Sequence, residues 1–145
     1  MAEILHDICI NSSPTLIFKA ISTPEGFNNW WTNKCSGVAK INEEFNFYFS
    51  EEYNWFAKVS KYSSNEAIEF SMTIASECWE QTSFGFLLTE VSSTKTQVQF
   101  YHKNWNNTNK EFRTTSYCWA HILYFLKNYI ENGIIVPFEN RNNHI

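Results

Sequence analysis

The sequence is 145 residues long, carries a formal net charge of -4 at pH 7, and is 43% hydrophobic and 18% aromatic. This length is typical of one domain with one core, and this composition excludes a disordered chain. The four glycines lie far apart, which excludes the clustered glycines of a Walker loop or a dinucleotide-binding turn. We therefore expect one folded domain over residues 1–145.

Charge, chain start and cysteines exclude further classes of protein. Only two arginines, Arg113 and Arg141, are present, so the chain offers no basic face for a nucleic-acid partner. The start lacks the basic and apolar regions of a signal peptide, and no stretch approaches the ~20 apolar residues that cross a bilayer. The four cysteines form no C-x-x-C pair. We expect a cytoplasmic protein with free thiols, no nucleic-acid partner and no membrane span.

The start of the chain predicts a strand followed by two short helices. In residues 3–11, two-residue alternation puts one mostly apolar set on one face and a more mixed set on the other, as in a half-buried strand: Ile4, His6, Ile8 and Ile10 against Leu5, Asp7 and Cys9. Positions 13–14 and 23–24 each place Ser or Thr before a proline, which is typical of an N-cap and the first helical position. The apolar spacing that follows predicts one helix over about 14–21 and a second that ends near Trp30.

The middle of the chain predicts an antiparallel meander. Apolar residues recur there every second position, and the connectors between the runs are short and polar. Successive strands should therefore pair antiparallel, with one strongly aromatic face. The alternating residues are Phe45, Phe47 and Phe49; Trp55, Ala57 and Val59; Ile68, Phe70, Met72 and Ile74; Phe84, Phe86 and Leu88; and Thr96, Val98, Phe100 and His102.

A long helix is predicted over about 111–132, where an apolar stripe of helical period runs from Phe112 to Ile130 and ends before Gly133. Only the predicted sheet is large enough to cover this stripe. The Asn-rich tail from Glu139 to Ile145 is expected to fray. The whole order predicts an α+β helix-grip fold, with six or seven antiparallel strands wrapped around the C-terminal helix.

Several short segments carry a family resemblance through their order and spacing. They are Ser13-Pro14, Thr23-Pro24-Glu25-Gly26, Trp30-Trp31-Thr32, Trp55-Phe56-Ala57-Lys58-Val59, Ile68-Glu69-Phe70, the strand from Thr96 to Trp105, and the helix from Trp119 to Gly133. Together they resemble the activator of Hsp90 ATPase homologue (C-terminal-like) family of the START-like superfamily. The resemblance implies a ligand-holding cavity between the sheet and the long helix. Relatives usually have Gly where this chain has Asn104, so a different turn is expected there.

The aromatic content also favours a cavity. Six tryptophans are difficult to pack solidly between one sheet and one helix, although they could instead fill the core. The candidate ligand-binding residues are Phe47, Trp55, Phe70, Phe84, Phe86, Phe100, His102, Trp119 and Leu123, with Trp30, Trp31 and Trp105 at the rim and Glu80 entering from a strand end.

The titratable candidates each leave alternatives open. His102 could bind a ligand, transfer a proton or be a core histidine. Glu80 could enter the cavity or remain in solvent. Asp7 has the wrong strand parity to orient His102, so a Ser-His-Asp triad is not supported. Cys118 and His121 lack a partner motif for a metal, and we expect no metal and no cofactor.

Three functions follow from these candidates. The favoured hypothesis is non-catalytic binding of a small apolar, aromatic or lipid-like ligand. An enzyme of the cyclase or hydratase type, using His102 and Glu80, is the second. The third, implied by the resemblance, is a module that binds a chaperone. A monomer and a homodimer are equally compatible with the sequence.

Overall fold

The predicted elements form in the predicted order, and the described chain contains seven β-strands and three α-helices. The computed structural model describes residues 1–144, with side chains described through Arg141. The elements are β1 (Ala2–Ile10), α1 (Pro14–Ser22), α2 (Pro24–Trp30), β2 (Lys34–Ser36), β3 (Glu44–Tyr48), β4 (Asn54–Ser63), β5 (Ala67–Ile74), β6 (Ser83–Ser92), β7 (Lys95–Trp105), α3 (Lys110–Asn132) and a C-terminal 3₁₀ helix (Phe138–His144).

All seven strands belong to one antiparallel sheet with the order β1-β7-β6-β5-β4-β3-β2. Strands β2 to β7 follow one another as a meander, because their connectors are too short to cross the sheet. Strand β1 pairs with β7 instead, and Ile4 lies opposite His102 there. The sheet, the long helix and the two short helices after β1 confirm the predicted helix-grip fold.

The two short helices pack closely against each other at their junction. Thr23 Oγ1 accepts a hydrogen bond of 3.1 Å from the backbone N–H of Gly26, which caps α2. A Cβ at Gly26 would lie 2.6 Å from the carbonyl oxygen of Lys19, so this position needs glycine for the close approach of α1. The junction places Trp30 and Trp31 at the end of α2, facing the sheet.

The long helix has the predicted start, end and buried face. The side chain of Asn109 accepts a hydrogen bond from the backbone N–H of Phe112 at 3.2 Å, which caps the first turn. Gly133 ends the helix with a φ of 68°, a left-handed conformation that glycine adopts without strain. The face toward the sheet buries Trp119, Leu123, Phe125 and Leu126.

Two segments differ from the prediction. Strand β2 was not predicted, because three residues are too few to show a period. The tail was expected to fray from Glu139, but a 3₁₀ helix forms over Phe138–His144 and the side chain of Arg141 is only 6% exposed. Hydrogen bonds from that guanidinium order this segment, and Ile145 lies outside the described residues.

Asn104 adopts the left-handed conformation that glycine would adopt at this turn. Its φ is 72°, in the region that asparagine tolerates better than most residues with a side chain. An asparagine at this position is therefore compatible with a left-handed turn before Trp105, and the expectation that this turn differs from that of relatives stays a prediction.

The outer face of the sheet, away from α3, carries a buried carboxylate at Glu69. Tyr101 Oη and Ser60 Oγ donate hydrogen bonds to it at 2.6 and 2.7 Å, and Lys103 Nζ lies 3.2 Å away. Burial alone would raise the pKa of Glu69, but these hydrogen bonds outweigh burial and hold the pKa below its ordinary value. Gly85 leaves room for the Tyr101 hydroxyl between the strands.

Candidate functional site

A cavity of about 550 Å³ lies between the sheet and the N-terminal half of α3, a volume within the range of small-molecule sites. We call it the aromatic pocket. Its wall comes from the end of α2, the β3–β4 hairpin, the β5–β6 loop, one face of α3 and the 3₁₀ helix. The lining residues are Trp30, Trp31, Phe49, Tyr53, Trp55, Ser76, Cys78, Trp79, Thr114, Thr115, Cys118, Trp119, Ile122, Phe138 and Arg141.

Four tryptophans form most of the aromatic wall, and each ring contacts the next in a row. The ring centroids of Trp31 and Trp119 are 4.9 Å apart, and those of Trp119 and Trp79 are 5.9 Å apart. Trp55 follows at 4.4 Å from Trp79, and Phe49 lies 5.1 Å from Trp55. These contacts hold the rings of the wall against one another.

Helix α3 contributes one continuous face to the pocket. Thr115, Cys118 and Ile122 recur at helical spacing, so their side chains share the side that faces the cavity. Trp119 lies one position beyond Cys118 and is buried where this face meets the sheet. Apart from Trp119, helix α3 therefore supplies small and medium side chains, whereas α2, the β3–β4 hairpin and the β5–β6 loop supply rings.

The polar groups of the pocket are few. Burial raises the pKa of the Cys78 and Cys118 thiols, and nearby glutamates add to the shift at Cys78. Both thiols therefore stay protonated at neutral pH and are poor nucleophiles. Arg141 is the charged residue among those that line the pocket, and no acidic side chain joins it in the described wall.

His102 lies in the core beneath the pocket and both of its ring nitrogens have partners. Trp119 Nε1 donates to His102 Nδ1 at 3.0 Å, which places the imidazole proton on Nε2. Nε2 then donates to Thr82 Oγ1 at 2.8 Å, and that hydroxyl donates to the carbonyl oxygen of Trp79. Burial lowers the pKa of His102 to about 3, so the ring is neutral at physiological pH. The structure assigns His102 to the core.

Glu80 does not lie in the cavity. It is exposed in the turn before β6, whereas the neighbouring Trp79 points into the pocket wall. The prediction followed strand parity from Phe84, but the strand begins only at Ser83 and parity does not extend into the turn. His102 and Glu80 therefore face no common cavity, and a proton-transfer pair of these two residues has no geometric basis.

The remaining predicted site residues divide between the pocket and the core. Trp30, Trp31, Trp55 and Trp119 border the pocket, and their contact with a ligand stays a prediction. The other predicted lining residues are buried in the packed core and do not border the pocket, which corrects their prediction: Phe47, Phe70, Phe84, Phe86, Phe100 and Leu123. Trp105, predicted at the rim, is also buried in the core.

Sequence reasoning also missed several residues of the wall. Ile122 and Cys118 carry a signal, since Ile122 lies three residues after Trp119 on the predicted helix and Cys118 lies four residues before Ile122. Trp79 and Cys78 belong to a loop with no periodicity. Arg141 lies in the segment that was expected to fray.

The described residues contain neither a metal-binding cluster nor a membrane-spanning helix. In residues with described side chains, no group of three or more His, Cys, Asp or Glu is placed to hold a metal ion. All four cysteines are free thiols in the structure. None of the described helices is long and apolar enough to cross a membrane.

Comparisons with known proteins support one family. The model of the activator of Hsp90 ATPase homolog 1-like protein family matches residues 11–131. The structure is similar to the solution structure of the Aha1 dimer from Colwellia psychrerythraea, with 32% sequence identity, a TM-score of 0.83, and coverage of 92% of this chain and 98% of that chain. No curated protein matches the sequence significantly.

More distant structures share the fold alone. Protein SSP2350 from Staphylococcus saprophyticus is 18% identical, with a TM-score of 0.78 over 93% of this chain and 96% of that chain. Protein MLL2253 from Mesorhizobium loti is 12% identical, with a TM-score of 0.79 over 92% and 100%. The family match, by contrast, spans most of the chain, from the end of β1 to the last turn of α3. Sequence and structure therefore agree that this chain belongs to the activator of Hsp90 ATPase homolog 1-like family, within the START-like superfamily.

Proposed function

We propose that this protein binds a small, apolar, ring-containing molecule in the aromatic pocket. The observation that carries the proposal is a cavity of about 550 Å³ walled by contacting tryptophan rings. Such rings offer stacked and edge-on contacts to an aromatic ligand, at about 0.5–1.5 kcal/mol per ring pair beyond the burial of area. Because the rings already hold one another in place, little ordering of side chains opposes binding.

We infer a binding role rather than a catalytic one from the chemistry of the wall. A general base must lie within hydrogen-bond reach of the substrate, yet His102 is bonded at both nitrogens beneath the wall and Glu80 is in solvent. The two pocket thiols are protonated. These placements support a carrier or sensor of a small molecule.

Two measurements test this function. Native mass spectrometry of the purified protein should reveal a retained small molecule that denaturation releases. Titration with N-phenyl-1-naphthylamine, a neutral fluorescent probe, should give saturable binding at one site per chain. Trp31→Ala should weaken that binding by about tenfold, because it removes one ring of the wall. Absence of saturable binding by the wild-type protein would refute the proposal.

A second candidate function is action on an Hsp90-type chaperone. The family match and the 32% identity to Aha1 from Colwellia psychrerythraea favour it. The ATPase rate of a bacterial Hsp90-type chaperone, measured with and without this protein, tests the idea directly. Stimulation that persists in Trp31→Ala would separate a chaperone contact from the aromatic pocket, and an unchanged rate would exclude this function.

We also propose that the chain forms a homodimer. The support is the Aha1 relative, which was solved as a dimer and is 32% identical. Light scattering during size-exclusion chromatography should give twice the mass of one chain, whereas the mass of one chain at micromolar concentration would contradict the proposal.

A further inference from the structure

Arg141 is a buried cation that three backbone carbonyls hold at the edge of the aromatic pocket. Its side chain is only 6% exposed. Nε donates to the carbonyl oxygen of Val136 at 2.9 Å, Nη1 to that of Thr32 at 3.2 Å, and Nη2 to that of Asn28 at 2.8 Å. The guanidinium carbon also lies 5.8 Å from the centre of the Phe138 ring. These contacts fix the plane of the guanidinium group.

No carboxylate forms an ion pair with Arg141 in the described part of the chain. The ion pairs there use Glu69 and Glu131, both of which pair with lysines elsewhere. Carbonyl dipoles solvate part of the positive charge, but they do not neutralise it. Glu139, two residues earlier in the chain, is exposed, and its charge acts on the guanidinium without a direct ion pair between the two. A buried charge without a direct counterion is costly, so an anion in the pocket would be stabilised at this position.

The guanidinium also retains donors for such an anion. Arginine has five N–H donors in a planar fork, and three hydrogen bonds to carbonyl oxygens occupy one N–H on each nitrogen. One N–H remains on Nη1 and one on Nη2. Two free N–H donors are the number that arginine uses to bind a carboxylate in bidentate geometry.

Arg141 gives the pocket a charged end and an apolar remainder. The other lining residues are aromatic rings, aliphatic groups, hydroxyls and thiols. The thiols of Cys78 and Cys118 are protonated and do not compete for an anion. A ligand with a ring and a carboxylate would therefore bind in one orientation.

Building on the proposed function, we propose that the natural ligand is an aromatic or cyclic carboxylic acid whose carboxylate pairs with Arg141 while its ring contacts the tryptophan wall. The alternative is that Arg141 only attaches the 3₁₀ helix to the end of α2. The two differ in one respect: pairing with a ligand requires selectivity for an anion, and a purely structural arginine does not.

The test compares 2-naphthoate with its neutral analogue 2-naphthamide as competitors of N-phenyl-1-naphthylamine. The wild-type protein should prefer the naphthoate by about tenfold or more, as for hydrogen bonds to a charged group. Its net charge of -4 works against anions in general, so a preference would have to come from the site. Arg141→Met should bring the ratio of the naphthoate affinity to the naphthamide affinity close to one, and it should retain affinity for the naphthamide.

A matched control is Arg113→Met, the exposed second arginine, which lies outside the pocket and should keep the wild-type ratio. A wild-type ratio near one, or a ratio that Arg141→Met leaves unchanged, overturns the proposal while binding of the neutral probe still supports the aromatic pocket. If 2-naphthoate, 2-naphthamide and the probe all fail to bind, the proposed function itself fails. If Arg141→Met melts far below the wild type, the affinity ratio of the wild-type protein and that of Arg141→Lys test the proposal instead. Arg141→Lys keeps the charge and should keep part of the preference for the naphthoate.

Discussion

The indole Nε1 of Trp119 donates a hydrogen bond of 3.0 Å to Nδ1 of His102 and so joins helix α3 to strand β7. The imidazole continues through Thr82 to the carbonyl oxygen of Trp79. Two tryptophans of the aromatic pocket are therefore positioned by one chain of hydrogen bonds. The neutral imidazole at its centre acts as acceptor on one side and donor on the other.

Trp119→Phe should lower the free energy of unfolding by more than the lost packing of the indole ring alone would. The phenyl ring keeps most of the packing but leaves Nδ1 of the buried His102 without a donor, at a cost of about 1–3 kcal/mol. Trp119→Ala should cost about 3–5 kcal/mol, because it also leaves a cavity. Urea unfolding followed by circular dichroism measures both values.

The control for Trp119→Phe is Tyr124→Phe on the exposed side of α3. Tyr124 is 60% exposed, so this change should alter the free energy of unfolding by less than about 0.5 kcal/mol. Equal effects of the two substitutions would show that the bond to His102 contributes nothing to stability.

Stability should fall as the pH drops from about 6.5 to 5. Burial lowers the pKa of His102 to about 3 in the folded state, whereas the unfolded chain binds a proton near pH 6.5. The unfolded state therefore binds more protons in this window, and stability rises with pH. The expected loss on acidification from pH 6.5 to 5 is roughly 1.6 kcal/mol, because the unfolded histidine is only half protonated at pH 6.5 and the slope approaches 1.36 kcal/mol per pH unit below it.

His102→Gln tests the origin of this pH dependence. The glutamine amide can accept from Trp119 and donate to Thr82, but it does not titrate. The fall in stability between pH 6.5 and 5 should therefore shrink strongly in the variant, as measured by urea unfolding at each pH. A slope equal to that of the wild type would assign the pH dependence to other groups.

Gly85→Ala should destabilise the outer face of the sheet by about 1–3 kcal/mol. A Cβ at this position would lie 2.5 Å from Tyr101 Oη and 2.8 Å from the carbonyl oxygen of Ile68. Tyr101 must then move away from Glu69, which loses one of its hydrogen bonds. Thr89→Ala, at an exposed position of the same strand, is the control and should have little effect on the thermal midpoint.

A ligand should protect two cysteines from alkylation. Cys78 and Cys118 line the aromatic pocket and their thiol pKa values are raised by burial, so iodoacetamide should modify them slowly at pH 7. Saturating 2-naphthamide should slow this modification further, as followed by peptide mass spectrometry. Cys9 on β1 lies outside the pocket and serves as the internal control. Equal protection at Cys9 would contradict binding in the pocket.

The sequence predicted the fold well because its periodic signals are long. The stripe of α3 and the Ser-Pro and Thr-Pro pairs at the starts of α1 and α2 specify these elements locally. The short polar connectors then leave few ways to pair the strands. Strand β2 was not predicted because three residues show no period.

The pocket was predicted only in part, because strand parity gives the face of a residue but not its depth. Trp55 and Phe84 both face α3, yet Trp55 borders the pocket while Phe84 is covered by neighbouring rings. Trp79 and Arg141 come from a loop and a tail, where no period indicates direction. Their positions depend on tertiary contacts, which a single sequence does not show.

The most direct test of a ligand pocket is to fill it. Thr115 is half-buried on the pocket face of α3, whereas Ala120 is exposed on the same helix and does not line the cavity. Thr115→Trp should weaken binding of N-phenyl-1-naphthylamine by about tenfold or more, and Ala120→Trp should leave it unchanged. If Thr115→Trp folds and binds the probe as tightly as the wild-type protein does, the aromatic pocket is not the binding site.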